Sequence, residues 1–343
     1  MKTHTDLEEG SETMSQPLFS VVIPTYNRAH TVGTAIASCL AQTCRDFEII
    51  VVDDDKSTDD IAASLARFDG VPIRLVGRHH GRAAAARNAG VRLAHGRFVA
   101  FLDADDAWLP DKLERCRRHL AAAPGDLVYS QTYVDRGVGR LWVKPARGLR
   151  DGEDIYDYLF AHKGWVHPST VVVDADLAQM SPFREDLSFG DDTQFAIDMW
   201  RRGVRITMIE APLAIYEDRF EPGRLSQSPV FEAADTPEHE SFIAWIESQR
   251  PYMSDGAYAA CRAFFLSRFV ARSSPRRALR YIFEGYCSGV VGAGKGLSQL
   301  VQTFAPSLYR RCADAVARRA GTVPPAAVTE LHDAGRLLEA GRG

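Results

Sequence analysis

The sequence has little cysteine, and its cysteines are not arranged for cross-linking or for a metal cage. Six of the 343 residues are cysteines, and no two of them form a CxxC pair. Scattered cysteines are typical of reduced thiols in a cytosolic protein, so a disulfide framework and a cysteine-bound zinc site are both excluded. The six are Cys39, Cys44, Cys116, Cys261, Cys287 and Cys312.

Long apolar runs are also missing. No stretch reaches the about 18 uninterrupted apolar residues that cross a bilayer. Even the most apolar segments toward the C-terminus carry Arg268, Glu284 or Lys295. The first residues, MKTHTDLEEGSETMSQP, are polar and acidic, unlike a signal or transit peptide. We expect a cytoplasmic protein with a flexible leader over residues 1–17 and a frayed tail over 331–343.

The chain as a whole lacks a surplus of positive charge, although one segment has it. The net charge is −4, which argues against nucleic acid as a partner because phosphate neutralisation needs a cationic surface. Between Arg250 and Arg319, however, twelve lysines and arginines stand against three acids, a net charge of +9. The near-neutral total therefore combines an acidic part with a basic C-terminal segment.

The glycine-rich loops that usually hold nucleotide phosphates are absent as well. No GxGxxG follows the first predicted strand, and the sequence contains no GxxxxGK[ST]. Dinucleotide and P-loop phosphate sites of the usual kind are therefore excluded. If the chain binds a nucleotide, we expect a metal ion to hold the phosphates instead.

Short apolar runs alternate with helical patterns from Phe19 onward. The runs over 19–23, 47–52, 73–76 and 98–102 predict strands, and helices are predicted over 31–42, 59–68 and 82–94. This alternation indicates parallel strands joined by helical crossovers, hence an α/β sheet. A second section mixes strands, predicted over 127–129, 170–173 and 206–209, with a helix over 193–202, and helices follow from about residue 231. Ligands of such sheets bind beyond the carboxyl ends of the strands.

Polar clusters follow three of the predicted strands. Acidic groups that gather at one sheet edge repel one another, and a divalent cation such as Mg²⁺ or Mn²⁺ is the simplest way to offset this cost. Asp103 and Asp105 alternate along an extended segment, as such a site requires. Arg82 and Arg87, on the third helix, would meet a phosphate or this acidic edge. The clusters are Pro24-Thr-Tyr-Asn-Arg28, Asp53-Asp54-Asp55 and Asp103-Ala104-Asp105-Asp106.

Six motifs together resemble glycosyltransferase family 2, over about residues 18–225. They are VVIPTYNR (21–28), IIVVDDDKSTDD (49–60), GRAAAARNAG (81–90), FLDADDAWLPDKL (101–113), HPST (167–170) and FREDLSFGDDTQFAIDMWRRG (183–203). The resemblance implies the GT-A fold, a Rossmann-like mixed and mainly parallel sheet flanked by helices, here followed by a C-terminal helical region. It also implies a nucleotide-sugar donor and inversion at the transferred sugar.

The resemblance assigns donor-side roles to individual residues. Tyr26 would supply an aromatic wall for the base, and Asp53 or Asp54 would accept a hydrogen bond from the imide N–H of uracil or thymine. Asp103 and Asp105 would form a DxD motif, with Asp105 as direct metal ligand and Asp103 nearer the ribose. The full donor set is Pro24, Thr25, Tyr26, Arg28, Asp53, Asp54, Arg82, Asp103, Ala104 and Asp105.

The acceptor side is implied by the later motifs. Inversion in one displacement needs a carboxylate that takes the proton of the acceptor hydroxyl, and Asp192, beside Asp191, is the residue expected to do so. A plain helix cap is the alternative role for this acidic pair. Trp165, His167 and Ser169 are expected to shape the acceptor pocket.

Two departures from the family pattern matter. The acidic run Asp53-Asp54-Asp55 is one residue longer than usual, which leaves open whether Asp53 or Asp54 faces the base. Arg219 lies near the place where many relatives have a histidine, and it could offset phosphate charge directly.

We therefore predict an inverting glycosyltransferase with a divalent metal. It would move a sugar from a nucleoside diphosphate donor, most simply UDP, to a hydroxyl of a saccharide or lipid-linked saccharide in cell-envelope or extracellular polysaccharide synthesis. The alternatives are a nucleotidyltransferase on a similar fold and a non-catalytic sugar-nucleotide-binding protein. We expect a GT-A domain over 18–225, with a nucleotide-binding half at 18–125 and an acceptor half at 126–225, and a helical region over 226–330.

The basic C-terminal segment allows two interpretations. Helices rich in arginine and aromatic residues, such as the one with Phe264, Phe265, Arg268 and Phe269, can lie on an anionic membrane surface. Alternatively, these helices pack on the catalytic domain and their arginines are solvated. The first interpretation would put the protein at the cytoplasmic face of a membrane.

Overall fold

The three-dimensional structure is a computed structural model. It describes residues 16–54, 56–78, 82–219 and 236–331, and Arg78 through its backbone only. Asp55, Gly81, most of the predicted leader and nearly all of the predicted tail lie outside these residues. The predicted boundary between 225 and 226 does so too, and the domain limits remain predictions.

Within the described residues, nine strands form one sheet. Its first half is parallel, in the order β3-β2-β1-β4, and antiparallel pairing of β4 with β8 joins it to a mixed second half. Beyond β8 the order is β6-β9-β5, and β7 pairs with β6. The strands are β1 (Phe19–Thr25), β2 (Phe47–Asp54), β3 (Ile73–Arg78), β4 (Phe98–Phe101), β5 (Ala107–Trp108), β6 (Leu127–Asp135), β7 (Leu141–Lys144), β8 (Val172–Asp174) and β9 (Ile206–Glu217).

Twelve α-helices of the described chain surround the sheet or follow it. They are α1 (Val32–Leu40), α2 (Ile61–Leu65), α3 (Arg82–Leu93), α4 (Lys112–Ala122), α5 (Ala175–Met180), α6 (Asp191–Arg201), α7 (Pro237–Gln249), α8 (Asp255–Cys261), α9 (Ser267–Val270), α10 (Pro275–Cys287), α11 (Ala293–Phe304) and α12 (Pro306–Ala320). A π-helical turn, Arg262–Leu266, makes α8 and α9 one continuous helical segment. None of these helices is both long and apolar enough to cross a membrane.

The parallel strands form where the sequence is continuously apolar. Every residue of β1 is buried, as expected for a strand covered on both faces. Pro24 does not end this strand, because β1 pairs with β4 only through Val22 and has one neighbouring strand at Pro24. Close packing of α3 on β1 requires Gly90, where an added Cβ would lie 2.2 Å from Val22 Cγ1.

The predicted α/β architecture with C-terminal helices is confirmed, and the second half of the sheet is larger than predicted. The runs predicted over 127–129 and 206–209 begin strands that continue to Asp135 and Glu217. The short strands β5 and β7 were not predicted. Both depend on pairing with distant strands, since β5 pairs with β9 and β7 with β6.

The largest hydrophobic core joins the sheet to the C-terminal helices. Phe101 of β4 and Phe195 of α6 belong to the same buried cluster as Phe264 and Phe269. Phe264 and Phe269 are each 5% exposed, so the helix around Arg268 packs on the catalytic domain, as the second of the two interpretations has it, and these two rings do not face a membrane. Burial on the catalytic domain stabilises these aromatic residues more than exposure at a surface would.

The helix α11 is oriented opposite to its hydrophobic pattern. Its buried residues are Gly296 and Gln299, whereas Leu297 and Phe304 are exposed. The Gln299 amide donates to the Phe264 carbonyl at 3.3 Å and to Thr303 Oγ1 at 3.2 Å. Polar groups thus fix α11 to the protein, and its apolar side faces outward.

Candidate active site

Three parallel strands bring the polar clusters to one edge of the sheet. In the register of β1 and β2, Thr25 lies beside Asp53. Val22 lies beside Phe101, the last residue of β4. The acidic turn begins two residues later, at Asp103, and so lies at the same edge as the residues that follow Val22 in β1. Acidic and aromatic groups distant in sequence therefore meet at the carboxyl edge, as the strand pattern predicts.

The loop after β1 is fixed by hydrogen bonds to the loop after β2. Asn27 has a left-handed backbone with φ of 51°, and its Oδ1 accepts a bond from the Thr58 N–H at 2.7 Å. Asp59 Oδ2 accepts from the Ala29 N–H at 2.6 Å. These bonds hold the two loops together, and Tyr26 between them is 51% exposed.

Asp53 and Asp54 differ in their surroundings. Ser57 Oγ donates to Asp53 Oδ1 at 2.7 Å, and partial burial raises the pKa of Asp53. Asp54 is buried, and its Oδ1 accepts a bond from the Lys56 N–H in its own turn. Of the two carboxylates, Asp53 is the one that is partly open to solvent.

The acidic turn after β4 points its carboxylates in different directions. Asp105 Oδ2 lies 3.6 Å from Arg28 Nε, and both side chains are largely buried. Ala104 is buried between the two acids of the DxD. Asp106 turns inward, where its two oxygens accept bonds from Ser169 Oγ at 2.6 Å and from the Glu217 N–H at 3.1 Å.

Asp103, Asp106 and His167 form a compact group of possible metal ligands. One ligand atom of each lies within 4.8 Å of the others, and His167 Nε2 is 3.9 Å from Asp103 Oδ2 and 3.7 Å from Asp106 Oδ2. Two carboxylates and an imidazole fit a divalent cation such as Mn²⁺. Asp103 is shared by this group and by the predicted DxD pair, while Asp106 was not among the predicted ligands.

A buried network sets the position of the segment around His167. Ser169 Oγ accepts a bond from the Asp103 N–H at 3.0 Å and donates to Asp106. Trp108 Nε1 donates to the Ser169 carbonyl at 2.7 Å, and the buried Lys112 Nζ donates to the Thr170 carbonyl at 2.8 Å. Ser169 therefore supports the acidic turn from below, instead of facing an acceptor pocket.

Arg87 connects the two acidic parts of the site. Its guanidinium donates to Asp103 Oδ1 at 2.6 Å and to Asp191 Oδ2 at 2.7 Å, and the residue is 4% exposed. Burial alone would lower the pKa of Arg87, but the carboxylates of Asp103 and Asp191 outweigh it and raise that pKa. Arg87 is thus a permanent cation between Asp103, which the sequence predicts on the donor side, and Asp191, which it predicts on the acceptor side.

Asp191 and Asp192 occupy the first turn of α6. The N-cap of this helix is Gly190, with φ of 76°, so neither aspartate is the cap. A Cβ at Gly190 would lie 2.3 Å from Phe242 Cε2. Burial, followed by the charge of Asp191, raises the pKa of Asp192 to about 6. Burial also raises the pKa of Asp191, against the effect of Arg87.

Aromatic rings lie against the acidic turn on the side of the predicted acceptor residues. The ring centroids of Trp165 and His167 are 4.6 Å apart, and Tyr216 lies 5.1 Å from Trp165 and 4.9 Å from His167. His167 is buried, whereas Trp165 is partly exposed. Of the three predicted acceptor residues, Trp165 is therefore the one exposed enough to contact a sugar.

Some arginines lie elsewhere than expected. Of the two arginines predicted at the acidic edge, Arg87 contacts it, whereas Arg82 bonds Glu238 of α7 at 3.2 Å. Arg219 bonds Asp135 at 2.8 Å. The predicted donor, metal and acceptor residues did not include Arg87, Asp106 and Tyr216. Arg87 and Asp106 lie inside the family motifs, whereas nothing in the sequence marks Tyr216.

Comparisons with known proteins agree with this arrangement. The model of a family described as Glycosyl transferase family 2 matches residues 20–177. The amylovoran biosynthesis glycosyltransferase AmsB of Erwinia amylovora is 31% identical over 250 residues, which cover 69% of this chain and 79% of AmsB. The Escherichia coli UDP-Glc:alpha-D-GlcNAc-diphosphoundecaprenol beta-1,3-glucosyltransferase WfgD is 41% identical over 102 residues, covering 29% of this chain and 40% of WfgD.

Solved structures share the fold at low identity. TarS 1–349 of S. aureus, crystallised with UDP-GlcNAc, has a TM-score of 0.56 and 17% identity, covering 88% of this chain and 92% of that one. The mannosyltransferase PcManGT of Pyrobaculum calidifontis, in complex with GDP-Man and Mn²⁺, has a TM-score of 0.53 and 18% identity, covering 89% of this chain and 87% of PcManGT. The fold is GT-A, and the chain is an enzyme that belongs to glycosyltransferase family 2.

Proposed function

We propose that the protein is an inverting glycosyltransferase that moves a sugar from a UDP-sugar to a hydroxyl of a saccharide or lipid-linked saccharide. AmsB acts in amylovoran biosynthesis and WfgD on a diphosphoundecaprenol-linked acceptor, which supports a role in envelope or extracellular polysaccharide synthesis. The observation that carries the proposal is the pair of acidic sites joined by Arg87, which is bonded to both Asp103 and Asp191.

Asp192 is the proposed base. Asp192 is partly buried, and a carboxyl with a pKa of about 6 is ionised at neutral pH and remains basic enough to accept a proton in the transition state. As the acceptor oxygen bonds to the anomeric carbon, its proton passes to Asp192. The bond from that carbon to the phosphate oxygen breaks, and UDP leaves with the electron pair from the opposite face.

Donor binding is proposed at the loops after β1 and β2. Tyr26 offers an exposed ring to the base, Pro24 and Thr25 form the pocket floor, and Asp53 accepts the imide N–H. The choice of Asp53 over Asp54 rests on burial, because Asp54 is buried and bonds its own turn. Arg28 is proposed to balance Asp105 and the diphosphate, and Arg82 lies at the start of α3 as an outer contact.

A divalent cation is proposed at Asp103, with Asp105 from the DxD pair and with His167 and Asp106 within reach. When bound, Mn²⁺ or Mg²⁺ would neutralise negative charge on the diphosphate leaving group. Arg87 holds Asp103 in place, and the Ser169 hydroxyl holds Asp106. PcManGT binds Mn²⁺ together with its sugar nucleotide, which supports a cation of this kind.

Replacing Asp192 by asparagine tests the reaction. We expect Asp192→Asn to lower kcat by about 100-fold to 10,000-fold, the usual contribution of a general base, and to leave UDP affinity near that of the parent protein. Turnover with a panel of UDP-sugars and calorimetry with UDP would measure the two effects. Asp186→Asn is the matched control, because Asp186 lies in the preceding loop and is exposed.

The same experiment separates the alternatives. Full activity of Asp192→Asn with loss of activity in Asp191→Asn would move the base to Asp191. Release of pyrophosphate from a nucleoside triphosphate and a sugar phosphate would instead identify a nucleotidyltransferase. UDP-sugar binding without turnover under all conditions would identify a non-catalytic binding protein.

We also propose that the C-terminal helices contact an anionic membrane at its cytoplasmic face. The helices α10, α11 and α12 expose large apolar side chains among arginines, and Phe283 and Leu297 are 64% and 65% exposed. A second copy of the chain would be repelled by the same positive charge, whereas anionic lipid headgroups are attracted by it. The exposed apolar residues are Leu279, Phe283, Tyr286, Leu297, Phe304, Leu308 and Val316.

A further inference from the structure

Three lysines from separate parts of the chain share one neighbourhood beside the aromatic group. Lys144 ends β7, Lys163 lies in the turn before Trp165, and Lys295 lies in the first turn of α11. Among the described residues, no carboxylate lies within ion-pair distance of these lysines. The nearby Asp218 is bonded to Arg136 at 2.7 Å. We call Lys144, Lys163 and Lys295 the lysine cluster.

The lysine cluster holds three positive charges near one another at the surface. All three side chains are exposed. Partial loss of hydration, followed by the ammonium groups of Lys295 and Lys144, lowers the pKa of Lys163 to about 8. Partial loss of hydration and the charge of Arg136 lower the pKa of Lys144, against the effect of Asp218. Like charges held near one another cost free energy, and binding of an anion would recover it.

The backbone that carries Lys163 is tightly constrained. Lys163 has a φ of 55°, which non-glycine residues seldom adopt. Its ammonium lies 3.9 Å from the centroid of the Phe264 ring. The next residue, Gly164, donates its N–H to the Tyr158 carbonyl at 2.8 Å, and a Cβ on it would lie 2.4 Å from the Tyr158 ring. The position of Lys163 is therefore built into the fold.

The cluster borders the acceptor side of the proposed active site. Lys144 Nζ lies 5.7 Å from the Trp165 ring centroid, and the Trp165 ring contacts His167, whose Nε2 is 3.9 Å from Asp103 Oδ2. Two aromatic rings therefore separate Lys144 from the acidic edge. Lys295 lies four residues before Gln299 and so on the same side of α11, and the Gln299 amide donates to the carbonyl of Phe264, the residue whose ring Lys163 contacts.

We propose that the lysine cluster binds the phosphate groups of an acceptor in which the saccharide is carried on a phosphate or diphosphate ester. Trp165 would contact the sugar between the cluster and the acidic edge. This inference rests on the proposed function and names the class of its acceptor. The same phosphate chemistry could come from a lipid carrier at a membrane or from a soluble sugar phosphate.

Binding measurements without turnover test the cluster separately from the reaction. The full-length protein, saturated with UDP and Mg²⁺, is titrated with butyl phosphate and, separately, with phosphatidylcholine vesicles that contain polyprenyl phosphate. In Lys144→Gln/Lys163→Gln/Lys295→Gln we expect affinity for phosphate to fall about tenfold or more, since three ammonium contacts are lost. UDP affinity should be unchanged.

Arg115, Arg117 and Arg118 on α4 provide the matched control. Their replacement by glutamine also removes three exposed positive charges, and it should leave phosphate binding unchanged. Binding of both probes indicates recognition of the phosphate alone, and binding of the vesicles alone indicates a lipid carrier.

Three outcomes would overturn the proposal. They are the absence of phosphate binding by the parent protein, unchanged binding by the lysine variant, and loss of UDP affinity in that variant, which would assign the cluster to the donor. A failure of the proposed function would instead appear as an absence of glycosyl transfer by the parent protein. The binding measurements do not depend on turnover, so they would still test the lysine cluster.

Discussion

At the scale of single residues, Arg87 organises the charges of the site. It carries two short bonds to carboxylates that are 88 residues apart in the sequence, at positions 103 and 191. Without Arg87, the partial burial of either carboxylate would cost free energy, because an unpaired charge away from water loses its hydration. Arg87 touches no reacting atom in the proposed mechanism, so we regard it as a positioning residue.

Replacing Arg87 should change the pH profile of the enzyme. Burial and the charge of Asp191 raise the pKa of Asp192 to about 6, and Arg87 partly offsets this rise. In the parent protein kcat/KM should fall as pH drops below about 6, because the base is then protonated. In Arg87→Met the Asp192 carboxyl loses this cation, its pKa rises, and the acidic limb should move to higher pH. Profiles of kcat/KM against pH would measure the shift, since they report the free enzyme.

Arg87→Lys is the control for this prediction. Lysine keeps the charge and cannot bond both carboxylates in the same way, so the limb should stay near that of the parent protein while kcat/KM falls. Removing one partner from a buried ion pair costs about 3–5 kcal/mol of unfolding free energy, and thermal unfolding should therefore accompany the profiles. An unshifted limb in folded Arg87→Met would refute the electrostatic role.

At the scale of elements, the N-terminus of α6 is set by a glycine. Gly190 combines a left-handed backbone with van der Waals contact to Phe242 of α7. The predicted alternative of an aspartate cap is therefore replaced by a glycine cap, which leaves both carboxylates inside the first turn. The helix places Asp192, and α7 limits where the helix can begin.

Gly190→Ala should disturb both stability and catalysis. The left-handed backbone alone costs about 1–2 kcal/mol for a residue with a Cβ, and the contact with Phe242 adds to it. Gly203→Ala, at the other end of α6, is a matched control, since Gly203 has φ of 83° and no atom within 4 Å of an added Cβ.

Urea unfolding and steady-state kinetics would compare the two glycine variants. We expect both to be destabilised, Gly190→Ala more strongly, and only Gly190→Ala to lose kcat. Equal losses of stability with full activity in both would show that the contact with Phe242 does not set the position of the acids.

At the scale of the whole molecule, acidic and basic charge are separated. The acidic edge belongs to the sheet, and the +9 segment belongs to helices whose outward sides are partly apolar. The buried parts of those helices continue the core of the catalytic domain. A truncation near Gln249 would therefore expose that core, and point substitutions are the better test of membrane contact.

Leu297→Ser/Phe304→Ser should weaken sedimentation with vesicles. Burying one such side chain contributes about 1.5–3 kcal/mol, so the double variant should bind phosphatidylglycerol vesicles about tenfold or more weakly. Binding by the parent protein should fall as salt rises, because lipid attraction is partly electrostatic. Leu75→Ser/Met180→Ser is the control, since both residues are exposed outside the C-terminal helices. Equal sedimentation of all three proteins would rule out this surface.

The sequence alone determined most of the elements and the edge of the sheet at which we propose the active site. Apolar runs followed by Pro24-Thr25-Tyr26, Asp53-Asp54 and Asp103-Ala104-Asp105 predict strands and their polar ends, because both signals are local along the chain. Motif order also identified the family, and with it the acidic pair Asp191-Asp192.

Only the tertiary structure decided which side chains meet and which faces turn outward. Arg87, not Arg82, reaches the acidic edge, Asp106 and His167 meet Asp103, and α11 directs Leu297 away from the core. Each of these contacts depends on packing between segments that are far apart in sequence. If one helix rotates or one strand pairs differently, every such contact changes. Local pattern contains no information about such rotations, and the balance of burial and charge across the whole fold sets them.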